Sequence, residues 1–321
     1  MGAYLARRIV ISIPVLLGIT LVAFTVLSLA PGDPIRALID PETLLRMTPQ
    51  QLEERRQALG LSGPLYERYA HWLAGVVQGD FGYSIKSGRS IIDEVLPRIG
   101  PTALLMGTSL AIAIVVGIPF GVAAAIRQYG KLDYALTGLT LLLISVPTFV
   151  LGLILIYLFG VTFRILPVGG MFTLGREYDI GDRIAHLVMP AAILGFVYAA
   201  QLMRYTRAGM LDVLSSEYMT TARAKGLGGR VVLLRHGLRN ALLPIITVLG
   251  LLVPELVAGA IITEQVFSWP GMGLLAVRAA TDRDPSLMMA IVLLVAVAVL
   301  ISNLLADIAY SVADPRVRLG G

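Results

Sequence analysis

Residues 9–30 read IVISIPVLLGITLVAFTVLSLA and carry no charged side chain. A helix needs about 20 mostly apolar residues to cross the hydrocarbon core of a bilayer, and this segment is long enough. Of the 321 residues 56% are hydrophobic and 15% are charged, whereas soluble domains carry about a quarter charged residues. The sequence therefore predicts an all-α membrane protein with six transmembrane helices. The six predicted spans are 9–30, 102–126, 134–161, 184–203, 241–262 and 287–308.

Several kinds of chemistry have no counterpart among the residues of this chain. The sequence contains no cysteine, which excludes a thiolate metal site, and its three histidines are too scattered in the sequence to indicate a histidine metal cluster. It lacks the phosphate-binding pattern GxxxxGK[ST] and the HExxH and GxSxG patterns; GYSIKSGRS at 82–90 has the wrong spacing. We therefore expect no cofactor on this chain, no metal and no catalytic residue. If ATP drives the protein, the ATPase is a separate polypeptide.

The distribution of charge between the predicted spans indicates an orientation. The connections on the side of the two termini carry about +8 net, and those on the other side about −3. By the positive-inside rule both termini are expected in the cytoplasm, and the overall charge of +5 reflects topology rather than nucleic-acid binding. An alternative reading of the first segment is a cleaved secretory signal, with SLA before Pro31 as the cleavage site, which would place the N-terminus outside.

The predicted outer loop, residues 31–101, contains helical signals of its own. Thr48 is a predicted N-cap, Gln51 completes a capping box with it, and Gly60 is a predicted stop. A second amphipathic piece places aromatic side chains on one side, notably Trp72. Such a face could rest at the membrane interface, pack as a lid on the spans, or contact an external partner.

The connection between the fourth and fifth spans, residues 204–240, contains the stretch SEYMTTARAKGLGGR at 216–230. Ser215 or Ser216 is a suitable N-cap, and Gly226 is a natural C′ residue. The signals predict a helix of about ten residues, which is too short to be stable alone in water. Its basic character is typical of an ordinary cytoplasmic loop, whereas its small-residue centre favours docking of a partner. The residues alone leave both interpretations open.

This connection resembles the EAA loop of ABC-importer permeases, whose pattern is Glu-Ala-Ala, three residues, Gly, nine residues and Ile-x-Leu-Pro. Residues 220–222 stand in the Glu-Ala-Ala place, and Gly226 follows at the family's distance. The departures from the pattern are Thr220, Thr221, His236 and Arg239. The stretches GDFGYSI, EQVFSWPGMGLL and NLLADIAYSVADPRVR resemble the same family, in its peptide-permease branch. The resemblance implies the type I ABC-importer permease fold, with a cytoplasmic coupling helix and a helical outer loop.

The resemblance also implies the other components of the transporter. It implies a second homologous permease subunit, two cytoplasmic ATPases that bind ATP and Mg, an external solute-binding protein, and a prokaryotic inner membrane. The substrate implied is a dipeptide or oligopeptide, with nickel chelates, glutathione and oligosaccharides as alternatives. The residues expected to contact an ATPase are Glu217, Tyr218, Thr221, Ala222, Ala224, Lys225 and Gly226.

Glu255 places a carboxylate in the middle of the fifth predicted span. Insertion scales assign such a charge a cost of about 2.5–3.5 kcal/mol, so we expect a specific role. It could face the transport pathway and contact a cationic group such as a peptide amino terminus, or it could form a structural hydrogen bond, in its charged or protonated form, to a polar neighbour such as Gln201 or Asn303. A proton-coupled secondary transporter using Glu255 and Asp307 is the competing function, but the inverted repeats typical of that class are not detectable. Pro147 and Pro254 are each expected to kink the span that contains them.

Overall fold

The computed structural model describes residues 2–30, 41–58 and 62–313, and these ranges are predominantly helical. The predicted all-α fold class is thereby confirmed. In chain order the helices are α1 (Gly2–Leu29), α2 (Pro41–Arg46), α3 (Pro49–Ala58), α4 (Leu65–Val77), α5 (Ile91–Ile126), α6 (Lys131–Ser145), α7 (Thr148–Leu155), α8 (Ile180–Leu214), α9 (Glu217–Ala224), α10 (Arg239–Val266), α11 (Met272–Thr281) and α12 (Pro285–Ala313). The π-helical segment Ile156–Thr162 follows α7. A single helical turn, Gly229–Val231, and a second π-helical segment, Val232–Leu238, precede α10.

Five helices of the described chain are long and apolar enough to cross a membrane. They lie in α1, α5, α8, α10 and α12. The segment predicted as the third span, 134–161, consists mainly of α6 and α7, and the chain bends by 99° between them. If this bent pair counts as one span, the total is six.

The break between α6 and α7 has its cause in Pro147. A proline disfavours helical backbone in the residue before it, and Val146 accordingly adopts an extended conformation with φ −92° and ψ 127°. Helix α6 therefore ends at Ser145, and α7 begins at Thr148. The kink predicted at Pro147 is confirmed and is a complete break. Helix α10, in contrast, continues past Pro254.

The chain divides into two compact units, and the larger one comprises Pro101–Pro270 with the chain from Ile301 onward. Helix α8 is its centre and packs against α6, α7 and α10. The core formed there is apolar and contains a fully buried tryptophan. Its most deeply buried members are Leu105, Leu194, Leu202, Ile245, Leu256 and Trp269.

Helix α5 packs on α8 at almost direct backbone contact. A Cβ atom added to Gly121 would lie 2.5 Å from Cβ of Thr206 and 2.8 Å from the carbonyl oxygen of Met203. One helical turn earlier, a Cβ on Gly117 would lie 2.8 Å from the carbonyl oxygen of Ala199. Small residues at a spacing of four are a common means of close helix approach in membranes. The glycines of α5 therefore set its distance from α8.

The turn after α10 is fixed to the beginning of the membrane part of α5. Thr102 Oγ1 donates a hydrogen bond of 2.6 Å to Oε1 of the fully buried Glu264. Trp269 Nε1 donates one of 3.0 Å to the carbonyl oxygen of Pro101, and the backbone N–H of Gly170 donates one of 2.8 Å to the carbonyl oxygen of Phe267. The stretch beginning EQVFSW is thus a buried turn with polar anchors.

The smaller unit comprises Gly2–Gly100 and Gly271–Leu300. Its helix α3 begins with the predicted capping box: the N–H of Thr48 donates to Gln51 Oε1 at 3.0 Å, and the N–H of Gln51 donates to Thr48 Oγ1 at 3.3 Å. The capping prediction is confirmed. The stop predicted at Gly60 lies outside the described residues.

Helix α4 packs on α1 through its aromatic face. The ring of Tyr69 meets that of Phe24 edge-on at 5.5 Å and stacks on Trp72 at 5.9 Å. The hydroxyls of Tyr69 and Thr20 are hydrogen-bonded at 2.9 Å. Of the three possibilities raised by the sequence, packing on a span accounts for Tyr69 and Trp72, whereas Tyr66 of the same helix stays exposed.

A short hairpin in the same unit is attached to the beginning of α12. Asp284 is 2% exposed; its Oδ2 accepts a hydrogen bond of 2.6 Å from Ser84 Oγ, and its Oδ1 accepts one of 3.0 Å from the N–H of Leu287. The carboxylate therefore caps α12 and holds the hairpin closed by the Tyr83–Ser90 bridge, which begins within GDFGYSI.

Candidate coupling site

Helix α9 follows α8 after two serines. Ser216 is the N-cap residue, but its Oγ donates to the carbonyl oxygen of Val213 at 2.5 Å and does not accept from the helix. Ser215 Oγ likewise donates to a preceding residue, the carbonyl oxygen of Asp212, at 2.9 Å. The predicted N-cap position is thus occupied by Ser216, but its side chain does not form the capping hydrogen bond. Both hydroxyls satisfy carbonyl groups in the last turn of α8.

The C-terminal end of α9 agrees with the sequence pattern. Gly226 has φ +77°, and its N–H donates to the carbonyl oxygen of Arg223 at 3.0 Å. This left-handed conformation is strained for residues with a Cβ atom. Gly226 is thus the helix-ending residue that was predicted, although the helix has eight residues rather than about ten.

Two side chains of α9 hold it to the rest of the chain. Met219 is 0% exposed and Ala222 is 7% exposed, and both pack with Val232 and with the last turn of α8. A helix this short depends on tertiary contacts for its stability, and these contacts provide them. Ala222 packs against its own chain. The interpretation that Ala222 belongs to a small-residue centre open to a partner is therefore wrong for this residue.

The opposite face of α9 is exposed. Tyr218 is 42% exposed, and its hydroxyl accepts a hydrogen bond of 3.2 Å from Nδ2 of Asn240. The other exposed members of the predicted contact set are Glu217, Thr221, Ala224, Lys225 and Gly226. The result is a small exposed surface of mixed charge with one aromatic ring.

The described residues contain no group of three or more His, Cys, Asp or Glu that could hold a metal ion. Around α9 the exposed functional groups are a carboxylate, cations, hydroxyls and a phenol. None of the described hydrogen bonds at this site joins a nucleophile to a general base, as a catalytic pair would require.

Beneath the site, an ion pair joins α8 to α6. Arg207 donates from Nε to Asp133 Oδ1 at 2.6 Å and from Nη2 to Oδ2 at 2.7 Å. Asp133 is 2% exposed. From the sequence, both residues were counted only as charges in cytoplasmic connections. No local pattern relates them, because they lie 74 positions apart in the chain. The one signal in the sequence was an acid in the first turn of a helix on a strongly basic side.

Glu255 lies on an exposed face of α10. No described residue gives its carboxylate a hydrogen bond or an ion pair, and neither Gln201 nor Asn303 is bonded to it. Its backbone carbonyl oxygen accepts a hydrogen bond of 2.6 Å from Tyr198 Oη, which fixes α10 to α8 at this level. Within the described part of the chain, the structural hydrogen bond considered for the side chain is thus not formed.

Comparison with known proteins gives matches along nearly the whole chain. The family described as "Binding-protein-dependent transport system inner membrane component" matches residues 117–319, and its N-terminal counterpart matches residues 1–105. The oligopeptide transport system permease protein AppB of Bacillus subtilis is 44% identical over 318 residues, covering 99% of each chain. The dipeptide transport system permease protein DppB of Escherichia coli K12 is 38% identical over 336 residues, covering 98% of each.

A solved structure of the MetNI methionine ABC transporter, described as inward facing, is similar in fold. The TM-score is 0.55 at 17% sequence identity, and the match covers 68% of this chain and 96% of that one. The fold is therefore that of the type I ABC-importer permeases. The relatives are transport permease subunits rather than enzymes. The chain is a non-catalytic, multi-pass inner-membrane protein, and it belongs to the family of binding-protein-dependent transport system inner membrane components.

Proposed function

We propose that the chain forms part of the transmembrane path of an ATP-driven importer for peptides. The observation that carries this proposal is the 44% identity to an oligopeptide permease protein over 99% of both chains. A preformed docking helix, α9, supports it from the geometry. Nickel chelates, glutathione and oligosaccharides are the substrates against which peptides must be tested.

The proposed complex contains a second homologous permease chain, two ATPases that carry ATP and Mg, and an external solute-binding protein. Both termini and α9 lie on the cytoplasmic side in this proposal, as the charge distribution favours. The residues proposed to meet the ATPase are the exposed members of α9 and the residues that follow it. Ala222 contributes by holding the helix in place.

The mechanism proposed for coupling follows from how α9 is attached. When two ATPases close around ATP, they displace the α9 helices that are docked in them. Helix α9 follows the end of α8 directly, with Ser215 and Ser216 at the junction hydrogen-bonded to carbonyl oxygens of the last turn of α8, and Met219 is buried against that turn. Helix α8 in turn packs on α6, α7 and α10. A displacement of α9 is therefore passed to the helices that surround the path.

Glu255 is proposed to face that path. An unbonded carboxylate on the exposed face of a span is costly in lipid, but it is stable in a water-filled passage. There it would attract a cationic group of the substrate, such as a peptide amino terminus. The proton-coupled alternative uses the same carboxylate as a proton carrier, so the energy source distinguishes the two functions.

The experiment is uptake of labelled peptides by proteoliposomes that contain the purified complex of permease chains, ATPases and binding protein. We expect uptake that requires ATP and the binding protein and persists when an ionophore collapses the proton gradient. Unlabelled glutathione, an oligosaccharide and a nickel chelate serve as competitors. Uptake driven by a proton gradient without ATP contradicts the proposal, and competition only by a non-peptide contradicts the substrate class.

A further inference from the structure

The ion pair between Asp133 and Arg207 lies where the helix that leads to α9 meets a neighbouring span. Both oxygens of Asp133 are engaged by the guanidinium, at 2.6 and 2.7 Å. This two-bond geometry fixes orientation as well as distance. The pair therefore resists both sliding and rotation of α8 against α6.

The turn between α5 and α6 is bound to the same carboxylate. The N–H of Tyr129 donates to Asp133 Oδ2 at 2.9 Å, and Thr137 Oγ1 donates to Oδ1 at 3.4 Å. Tyr129 has φ +61°, an unfavourable backbone for a residue with a side chain. A Cβ on Gly130 would lie 2.9 Å from the carbonyl oxygen of Arg127, so the turn is also compact. Asp133 thus holds the turn, α6 and α8 at one point.

The Asp133–Arg207 pair lies close to the end of α8 that leads into α9. Arg207 precedes the end of α8 at Leu214 by two helical turns, about 10 Å of helix. Gly121 of α5 packs against Thr206, the residue before Arg207. A displacement of α9 that is transmitted along α8 therefore reaches the Asp133–Arg207 pair before it reaches the more distant part of α8.

We propose that Asp133 and Arg207 are positioning residues that make α6 and the α5–α6 turn move together with α8 when α9 is displaced. This inference rests on the proposed function of α9. Without the pair, α8 would move against α6 and ATP hydrolysis would continue without a matching movement of the path. The expected defect is a lower amount of substrate transported per ATP hydrolysed.

The test measures that ratio in the reconstituted complex for Arg207→Gln, Arg207→Lys and Arg204→Gln. Arg204 is an exposed cation on the same helix and provides the matched control. We expect Arg207→Gln to lower the ratio about fivefold or more. A fivefold change corresponds to a coupling free energy of about 1 kcal/mol. Arg207→Lys keeps the charge but loses the two-bond geometry, so its ratio should lie between those of Arg207→Gln and the unaltered chain. Arg204→Gln should leave it unchanged.

A covalent bridge provides a second variant that does not depend on the buried charges. The chain has no cysteine, so Asp133→Cys combined with Arg207→Cys introduces two thiols that a short bifunctional thiol reagent can join. We expect low coupling before the bridge forms and recovery after it. A bridge that blocks transport, or an Arg207→Gln complex whose transport and ATP hydrolysis fall in proportion, overturns the inference.

The two levels of inference fail differently. If the unaltered complex shows no ATP-dependent peptide uptake, the proposed function is wrong irrespective of the pair. If the unaltered complex transports peptides and Arg207→Gln keeps the full ratio, only the role of the pair is wrong.

Discussion

Thr102 Oγ1 and Glu264 Oε1 lie 2.6 Å apart, although 162 positions separate the two residues in the sequence. Glu264 is fully buried near the end of α10, and Thr102 lies in α5. The bond therefore joins two membrane helices at the level where the chain turns after α10.

Replacing Thr102 by Val should destabilise the protein. The substitution keeps the shape of the side chain but removes a donor from a buried carboxylate, which costs about 1–3 kcal/mol. Equilibrium unfolding in mixed micelles, followed by circular dichroism, measures this change. Thr102→Ser retains the hydroxyl and should be much closer to the original protein. A Val variant as stable as the Ser variant would show that the bond contributes nothing.

Replacing Gly121 by Ala should separate α5 from α8. The new Cβ would lie 2.8 Å from a backbone oxygen, which cannot move independently of its helix. Overpacking of this kind costs about 1–3 kcal/mol. Gly107 lies in the same helix, and a Cβ atom added there would have no neighbour within 4 Å. Gly107→Ala is therefore the control and should be neutral or slightly stabilising. Equal unfolding free energies for the two variants contradict the close packing.

Replacing Gly226 by Ala should impair coupling. Gly226 has φ +77° and Gly228 has φ −58°, and a Cβ atom at either position would meet no neighbour within 4 Å. The two Ala variants therefore differ chiefly in backbone strain, about 1–2 kcal/mol at Gly226. Transport per ATP hydrolysed should fall for Gly226→Ala and stay unchanged for Gly228→Ala, with binding of the solute-binding protein intact in both. Full uptake by Gly226 variants at normal expression would remove this residue from the coupling mechanism.

Replacing Glu255 by Gln should reduce the preference of the transporter for cationic over neutral peptides. If the carboxylate faces the path, its loss removes an attraction to cationic groups and leaves neutral ones unaffected. Uptake of a cationic peptide should fall about tenfold relative to a neutral peptide of the same length, since a hydrogen bond to a charged group contributes about 1.5–3 kcal/mol. Competition between the two labelled peptides in one vesicle preparation measures the ratio. An unchanged ratio argues against a pathway position.

Local patterns were sufficient for much of the fold. The apolar spans, the capping box at Thr48 and the helix end at Gly226 depend on residues within one or two turns of each other, so the sequence predicts them directly. The break at Pro147 was expected as a kink, but its 99° angle depends on how α6 and α7 pack and could not be derived from the proline alone.

The candidate site was predicted only in outline. The sequence located α9, but it could not tell which side of the helix is buried, because Met219 and Ala222 acquire their partners from α8 and from Val232. The N-cap lies at Ser216, one of the two predicted serines, but the capping hydrogen bond is absent because carbonyl groups of α8 accept the serine hydroxyls instead. The contact of Arg207 with Asp133 is purely tertiary, and no local pattern indicates it.

The burial of Met219 and Ala222 also bears on how the transporter assembles. Because the chain's own residues already order α9, an ATPase docked there as proposed would bind a preformed surface rather than a segment that must fold on contact. Preorganisation of this kind avoids the conformational entropy that binding would otherwise cost. Assembly is then limited by how often the subunits meet in the correct orientation, so its rate should follow ATPase concentration without a slow folding phase.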